Sequence, residues 1–278
     1  MFSKAYVEIT NICNLNCSFC HGTKRAPRRM SVEEFALVTG RLKSYTKHIY
    51  FHLMGEPLTH PNLSEMLHIA AESGMNCCIT TNGFLIEKCA ETLKNAEKLY
   101  KISVSLHSFE ANRSAVTLGE YLERVWSVVI SLSQNGTICA LRLWNDGGEN
   151  ALNAEILDFL RGKVGGEWQE TRTGSLRLAE NLYLENAAKF EWPDMSASER
   201  EVQFCHGLRD QIAVLCDGTV VPCCLDAEGA INLGNIFEQS LDEILASPRA
   251  KAIYEGFSNR KPTEELCRKC GYATRFNR

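Results

Sequence analysis

Strand-like and helical segments alternate along the first two thirds of this chain, and a chain that alternates in this way has few folds open to it. Ala5 to Thr10 (AYVEIT) alternates in polarity and is rich in β-branched residues, which reads as a strand. Ser31-Val-Glu-Glu34 is a capping box, and it opens an amphipathic helix that runs to about Tyr45. Further strands are expected at His48–Gly55, Asn76–Thr81, Lys101–His107, Thr137–Trp144 and Ser175–Glu185. Helices fall between them at Leu63–Ser73, Glu87–Asn95, Thr117 to near Gly136, and Ala151–Lys163. Such alternation implies an α/β fold with a parallel sheet and right-handed crossovers, either an open doubly wound sheet or an incomplete barrel. Six units are too few to close an eight-fold barrel.

The grammar changes after Trp192-Pro193. Gln211 to Cys216 and Thr219 to Cys223 flank Asp217-Gly218, a two-residue hairpin signal. Ser240-Leu-Asp-Glu243 then caps a helix interrupted by Pro248. Two domains are therefore expected, residues 1–194 and 195–278. Thirty basic and thirty-four acidic side chains leave a net charge of -4, so the basic surplus that holds a long polynucleotide is missing. No window approaches the roughly 20 apolar residues that span a bilayer, and no leader precedes the first strand; a cytoplasmic protein without membrane partners is expected.

Thirteen cysteines in 278 residues are the outlier. The number is odd and the chain is long for a disulfide scaffold, which favours metal or redox chemistry. Cys13-Asn-Leu-Asn-Cys17-Ser-Phe-Cys20 follows the first strand directly, so three thiolates leave one loop at the carboxyl end of the sheet, where parallel α/β proteins place their chemistry. Three cysteines on a [4Fe–4S] cluster leave one iron open to a ligand from outside the protein. A structural zinc loop completed by His21 is the other reading of the spacing. Cys77, Cys78, Cys89 and Cys139 lie inside regular elements and are expected to pack as small hydrophobes.

Cys13-x3-Cys17-x2-Cys20 resembles the signature of radical S-adenosylmethionine (SAM) enzymes. The resemblance continues through Gly55-Glu56-Pro57, Thr81-Asn82-Gly83 and Ser103-x-Ser105-x-His107 at successive strand ends, covering most of residues 5–145. It implies a partial (β/α)6 TIM-like barrel in which Cys13, Cys17 and Cys20 hold three irons and the amino and carboxylate groups of SAM chelate the fourth. Phe19 would pack near the adenine, and Gly55, Glu56 and Pro57 would bind the methionyl ammonium. Thr81, Asn82, Ser105 and His107 would face the nucleoside, and Arg142 would reach the carboxylate. The late cysteines are similar to the auxiliary iron–sulfur domain called SPASM, in its shortened "twitch" form of a β-hairpin plus helix. That resemblance implies one auxiliary [4Fe–4S] cluster on Cys205, Cys223, Cys267 and Cys270, with Cys216 or Cys224 as substitutes; a zinc ion on the same four cysteines is the alternative.

The family implies an enzyme, a lyase or oxidoreductase, that cleaves SAM reductively to a 5′-deoxyadenosyl radical and takes hydrogen from a substrate, drawing electrons from a donor such as flavodoxin or ferredoxin. No catalytic side chain is assigned. Glu8, His52, Met54 and Arg177 are the candidate substrate contacts, each with a structural role as its alternative. With only twelve residues before Cys13, a peptide-recognition domain is not expected and a small-molecule substrate is favoured. The pattern Phe51-His-x-x-Gly-Glu-Pro-Leu58 and the Cys205/Cys223 separation resemble the aminocyclitol dehydrogenase of butirosin biosynthesis. The whole chain is also similar to queuine lyase, which cleaves a C–N bond to release a deazaguanine base. A peptide-modifying maturase and a non-catalytic metal-cluster scaffold are the remaining alternatives.

Overall fold

The computed structural model describes residues 1–112 and 115–277. Its strands are β1 (Lys4–Val7), β2 (His48–Tyr50), β3 (Asn76–Thr81), β4 (Leu99–Ser105), β5 (Ile138–Asp146), β6 (Gln169–Glu170), β7 (Leu176–Ala179), β8 (Leu182–Ala188), β9 (Gln211–Val214), β10 (Thr219–Val221) and β11 (Gly234–Asn235). The helices are α1 (Val32–Leu42), α2 (Leu63–Glu72), α3 (Ala90–Lys94), α4 (Leu118–Gln134), α5 (Asn153–Lys163), α6 (Leu241–Ala246), α7 (Pro248–Ser258) and α8 (Glu265–Arg268). One mixed sheet joins all the strands in the order β11-β10-β9-β1-β2-β3-β4-β5-β8-β7-β6. Every neighbouring pair from β9 through β8 is parallel, so their carboxyl ends share one rim. The arrangement is the expected α/β one, open at both sheet edges.

Local chemistry accounts for most of the boundaries. Ser31, Thr117 and Ser240 each accept the N3 backbone N–H while Glu34, Glu120 and Glu243 reach back, so all three capping boxes read in the sequence are formed. Pro248 ends α6 and begins α7, a position where its missing N–H costs nothing. Phe35, Phe51, Met66, Ile79 and Tyr121 are buried between sheet and helices. Cys77, Cys78 and Cys139 are buried with them and Cys89 is half-buried against the core, as expected of free cysteines in regular elements.

One expectation changes. Ser175 to Glu185 is not one strand: Asn181 takes a left-handed conformation, φ 55°, and folds β7 back on β8. Asparagine tolerates that region, and Glu180-Asn181 serves as a two-residue hairpin turn that the uninterrupted apolar alternation hides. β8 alone is the sixth parallel strand. The later strands continue the main sheet. Residues 189–206 carry neither helix nor strand, but β9 then pairs in parallel with β1 over Lys4↔Gln211 to Val7↔Val214.

A buried ion pair fastens that junction. Glu8, fully buried after β1, accepts two hydrogen bonds from Arg25 Nη2 at 2.6 and 2.8 Å, one from Met54 N at 3.2 Å and one from Cys216 N at 3.1 Å. Replacing Glu8 by Ala strands a largely buried guanidinium and two backbone donors, a change expected to cost about 3–5 kcal/mol. Denaturant unfolding of anaerobically prepared protein measures it. A loss below about 1 kcal/mol would reduce the pair to the worth of a surface contact.

Candidate active site

The loop carrying the first three cysteines is held open from several sides. Cys13 and Cys20 are exposed and Cys17 is half-buried, all three on the segment between β1 and α1. Backbone N–H groups of Leu15 and Gly22 donate to Cys13 Sγ and Cys20 Sγ, each at 3.4 Å. Cys17 Sγ accepts instead from Asn112 Nδ2 at 3.1 Å. Burial raises the Cys13 thiol to about 11, and Cys17 moves the same way; such thiols ionise readily only against a cationic partner.

Beneath the loop, the ends of β2 and β3 are tied together. Glu56 N donates to Ile12 O at 3.0 Å, bringing the Gly55-Glu56-Pro57 segment against the cysteine loop. The Glu56 carboxylate, buried, accepts Leu58 N at 3.1 Å and Asn82 N at 2.7 Å; burial pushes its pKa up to about 7 while those donors hold it down. Asn82 Nδ2 donates to Asn14 Oδ1 at 2.9 Å, inside the cysteine motif. Thr81 Oγ1 accepts Gly83 N at 3.0 Å and shapes the turn that presents Asn82. Gly55 has φ +75° and no room for a side chain, since a Cβ there would lie 2.3 Å from Thr10 O.

A cavity of about 660 Å³ opens beside these strand ends. Phe19, Ser105, His107 and Arg142 line it, and the Phe19 and His107 rings lie 4.7 Å apart. Arg142 Nε donates to Glu185 Oε2 at 3.0 Å, its guanidinium stacks on Trp144, and Lys101 Nζ meets Glu185 Oε1 at 2.8 Å. The expected carboxylate-reaching arginine is therefore already engaged by an acidic partner within the chain. Tyr6, Tyr50 and His52 form an aromatic wall, with Tyr6 edge-on to His52 at 5.4 Å. Among the described residues His52 Nδ1 is buried without a hydrogen-bond partner, and burial together with nearby Arg142 and Lys4 pushes its pKa down to about 3, so the ring is neutral.

The other candidate substrate contacts lie elsewhere. Glu8 is the buried hub of the β1–β9 junction. Met54 is buried and meets Glu8 through its backbone N–H, and Arg177 stands exposed on β7; none of the three lines the cavity. Sequence reading passed over Lys101, Tyr50 and Asn112. Tyr50 ends β2, Lys101 lies early in β4 and Asn112 follows that strand, and none of the three belongs to a motif.

Cys205, Cys223, Cys267 and Cys270 line a second, smaller cavity of about 40 Å³. Burial is the first cause of their raised pKa values, and mutual repulsion adds to it for Cys205, Cys223 and Cys267. Cys216 lies apart from them, 3.7 Å from Arg25 Nη1 beside Glu8. Cys224 borders the large cavity and shares a hydrogen bond with Tyr6. Gln211, Leu225 and Tyr272 line both cavities, so one wall separates them. Among the described residues no three His, Cys, Asp or Glu side chains converge on a single metal ion; the four late thiols stand around a space. An all-thiolate set that encloses a space suits an iron–sulfur cluster.

Comparison with known proteins agrees with this geometry. The profile of the radical SAM superfamily matches residues 7–160, and that of SPASM, an iron–sulfur cluster-binding domain, matches residues 205–271. A probable GTP 3′,8-cyclase of Methanococcus vannielii is 33% identical over 124 residues, 43% of this chain and 41% of that protein. One from Aeropyrum pernix is 31% identical over 192 residues, 63% of this chain and 47% of that protein. The chain thus spans under half the length of these curated relatives. The crystal structure of BtrN in complex with AdoMet and 2-DOIA superposes with a TM-score of 0.63 at 20% identity, covering 97% of this chain and 93% of that one. Native anSMEcpe with bound AdoMet gives a TM-score of 0.60 at 14% identity, covering 97% and 86%. At these identities the structural likeness is one of fold.

Gly55→Ala tests the strand-end geometry. A Cβ at 2.3 Å from Thr10 O, at φ +75°, has to displace the segment that Glu56 fastens to the cysteine loop. SAM affinity, measured anaerobically by calorimetry, should fall at least about tenfold, equivalent to about 1.4 kcal/mol. Unchanged affinity would separate this segment from the SAM site.

Proposed function

The chain belongs to the radical SAM superfamily, and on that premise we propose that it abstracts a hydrogen atom from a small metabolite held in the 660 Å³ cavity, leading to cleavage of a C–N bond in a modified nucleobase of the queuine type and release of a deazaguanine base. The family's cofactors are a SAM-binding [4Fe–4S] cluster, SAM and an auxiliary cluster. When bound, the first cluster and SAM together supply a 5′-deoxyadenosyl radical, and electrons come from a donor of the flavodoxin or ferredoxin class. Among the described residues no helix is long and apolar enough to cross a membrane; we propose a cytoplasmic site of action.

The side chains have separable tasks. Cys13, Cys17 and Cys20 would hold the SAM-binding cluster, and Cys205, Cys223, Cys267 and Cys270 the auxiliary one. Gly55, Glu56, Pro57, Thr81 and Asn82 present strand-end polar groups to SAM, while Phe19, Ser105 and His107 face its nucleoside. His52, neutral, contributes its ring to the cavity wall. Arg142 and Lys101 are held rigid by Glu185, so the floor keeps two oriented donors without losing side-chain entropy on binding.

The aromatic wall of Tyr6, Tyr50, His52 and Trp144 carries the substrate reading. Flat rings in a half-buried cleft suit stacking of a heterocycle, and the polar groups around them suit its carbonyl and ring nitrogens. The near-complete mutual coverage with BtrN in complex with AdoMet and 2-DOIA favours a second reading, dehydrogenation of a small polyol or aminocyclitol. The wall shared by the two cavities supports that alternative, because it leaves a short path for an electron from a substrate radical to the auxiliary site.

Reconstituted, reduced protein should form 5′-deoxyadenosine in step with a released deazaguanine when given SAM and queuine. Deuterium at the abstracted position should appear in the deoxyadenosine. Turnover of an aminocyclitol to a ketone with queuine inert would select the dehydrogenase reading. Deuterium transfer from a peptide with every metabolite inert would overturn the substrate class.

A further inference from the structure

The side-chain amide of Asn112 is fixed at both ends. Its Oδ1 accepts the backbone N–H of Asn16 at 3.1 Å, inside the cysteine motif. Its Nδ2 donates to Ser108 O at 2.7 Å and to Cys17 Sγ at 3.1 Å. Turning the amide over would set oxygen against a carbonyl and an NH2 against an N–H, so the partners themselves dictate which end faces the sulfur. Cys13 and Cys20 receive backbone N–H groups from two residues away, each at 3.4 Å, and Cys13 Sγ also has Asn82 Nδ2 at 3.9 Å. The amide at Cys17 is closer, at 3.1 Å, and arrives across a sequence separation of 95 residues, on the segment that follows β4.

We propose that Asn112 tunes the SAM-binding cluster, raising its reduction potential through an N–H directed at the Cys17 sulfur. The inference rests on the reading that Cys13, Cys17 and Cys20 hold that cluster. An electron taken from the external one-electron donor spreads added negative charge over the coordinating sulfurs. An N–H dipole aimed at one of them therefore stabilises the reduced form more than the oxidised form. Asn112 is a positioning residue as well, because the same amide pins Asn16 and with it the curvature of the loop. Two variants bracket the roles: Asp at this position keeps an oxygen for Asn16 N–H but sets a charged oxygen where the N–H met Cys17, while Ala removes the N–H without adding charge.

EPR-monitored redox titration of the full-length, reconstituted protein tests this. The SAM-binding cluster is identified as the one whose signal changes when SAM is added. Both Asn112→Asp and Asn112→Ala should lower its midpoint potential, by about tenfold in the reduction equilibrium or about 59 mV for a one-electron couple. The auxiliary cluster should keep its wild-type potential, which also reports a folded protein. Four results overturn the inference: an unshifted potential in both variants, a shift in only one of the two variants, equal shifts of both clusters, or loss of the SAM-responsive cluster from both variants. The last would make Asn112 only an anchor for the loop. Cys17→Ala, run in parallel, should lose the SAM-responsive signal; if the signal survives, the assignment of the cysteine loop has failed, and not merely the role of Asn112.

Discussion

A carboxylate with no exposure to water sits where this sheet turns from scaffold into site. Glu8 receives Arg25 from the loop beyond the cysteines, Met54 N from the end of β2, and Cys216 N from the hairpin of β9 and β10. Burying one charge would be prohibitive by itself, but a bidentate guanidinium and two backbone donors satisfy it in place. Three segments distant in sequence are thereby fixed to one atom group. Arg25 extends the arrangement by donating to Ala227 O at 2.8 Å, close behind Cys223 and Cys224.

The consequence is a pair of sites with a defined separation. The three-cysteine loop lies beyond the parallel strand ends, and the four-thiol cavity lies where β9 and β10 extend the same sheet past β1. Gln211, at the start of β9, lines both cavities, and Tyr272 closes the wall from the chain's last segment. Trp192 Nε1 donates to Phe19 O at 3.1 Å, fastening the irregular connection to the cysteine loop as well. Substrate in the large cavity would thus be bordered by residues from both matched families, and neither half alone forms the enclosure.

Much of this was legible where the signal is local. A capping box is four residues long, the Asp217-Gly218 turn is two, and Cys13-x3-Cys17-x2-Cys20 fits within one loop; in each case neighbours in sequence are neighbours in space. The features left open depend on partners far away. Glu8 can be read as a substrate contact or as a paired structural carboxylate, and Arg25 and Cys216, at separations of 17 and 208 residues, supply the pairing. Arg177 alternates correctly with its neighbours, but the fold-back at Asn181 turns β7 toward the sheet edge and leaves that side chain in solvent. Asn112 has no motif at all, and its importance comes only from the loop that folds against it.

The central claim is that this rim holds a cluster with one iron reserved for SAM. Electron–nuclear double resonance on the reduced protein, with SAM carrying 15N in its methionyl amino group, addresses that contact directly. A strong 15N hyperfine coupling to the cluster is the predicted result. Reduced protein that carries the cluster and binds SAM, yet shows no coupling to that nitrogen, would contradict the account.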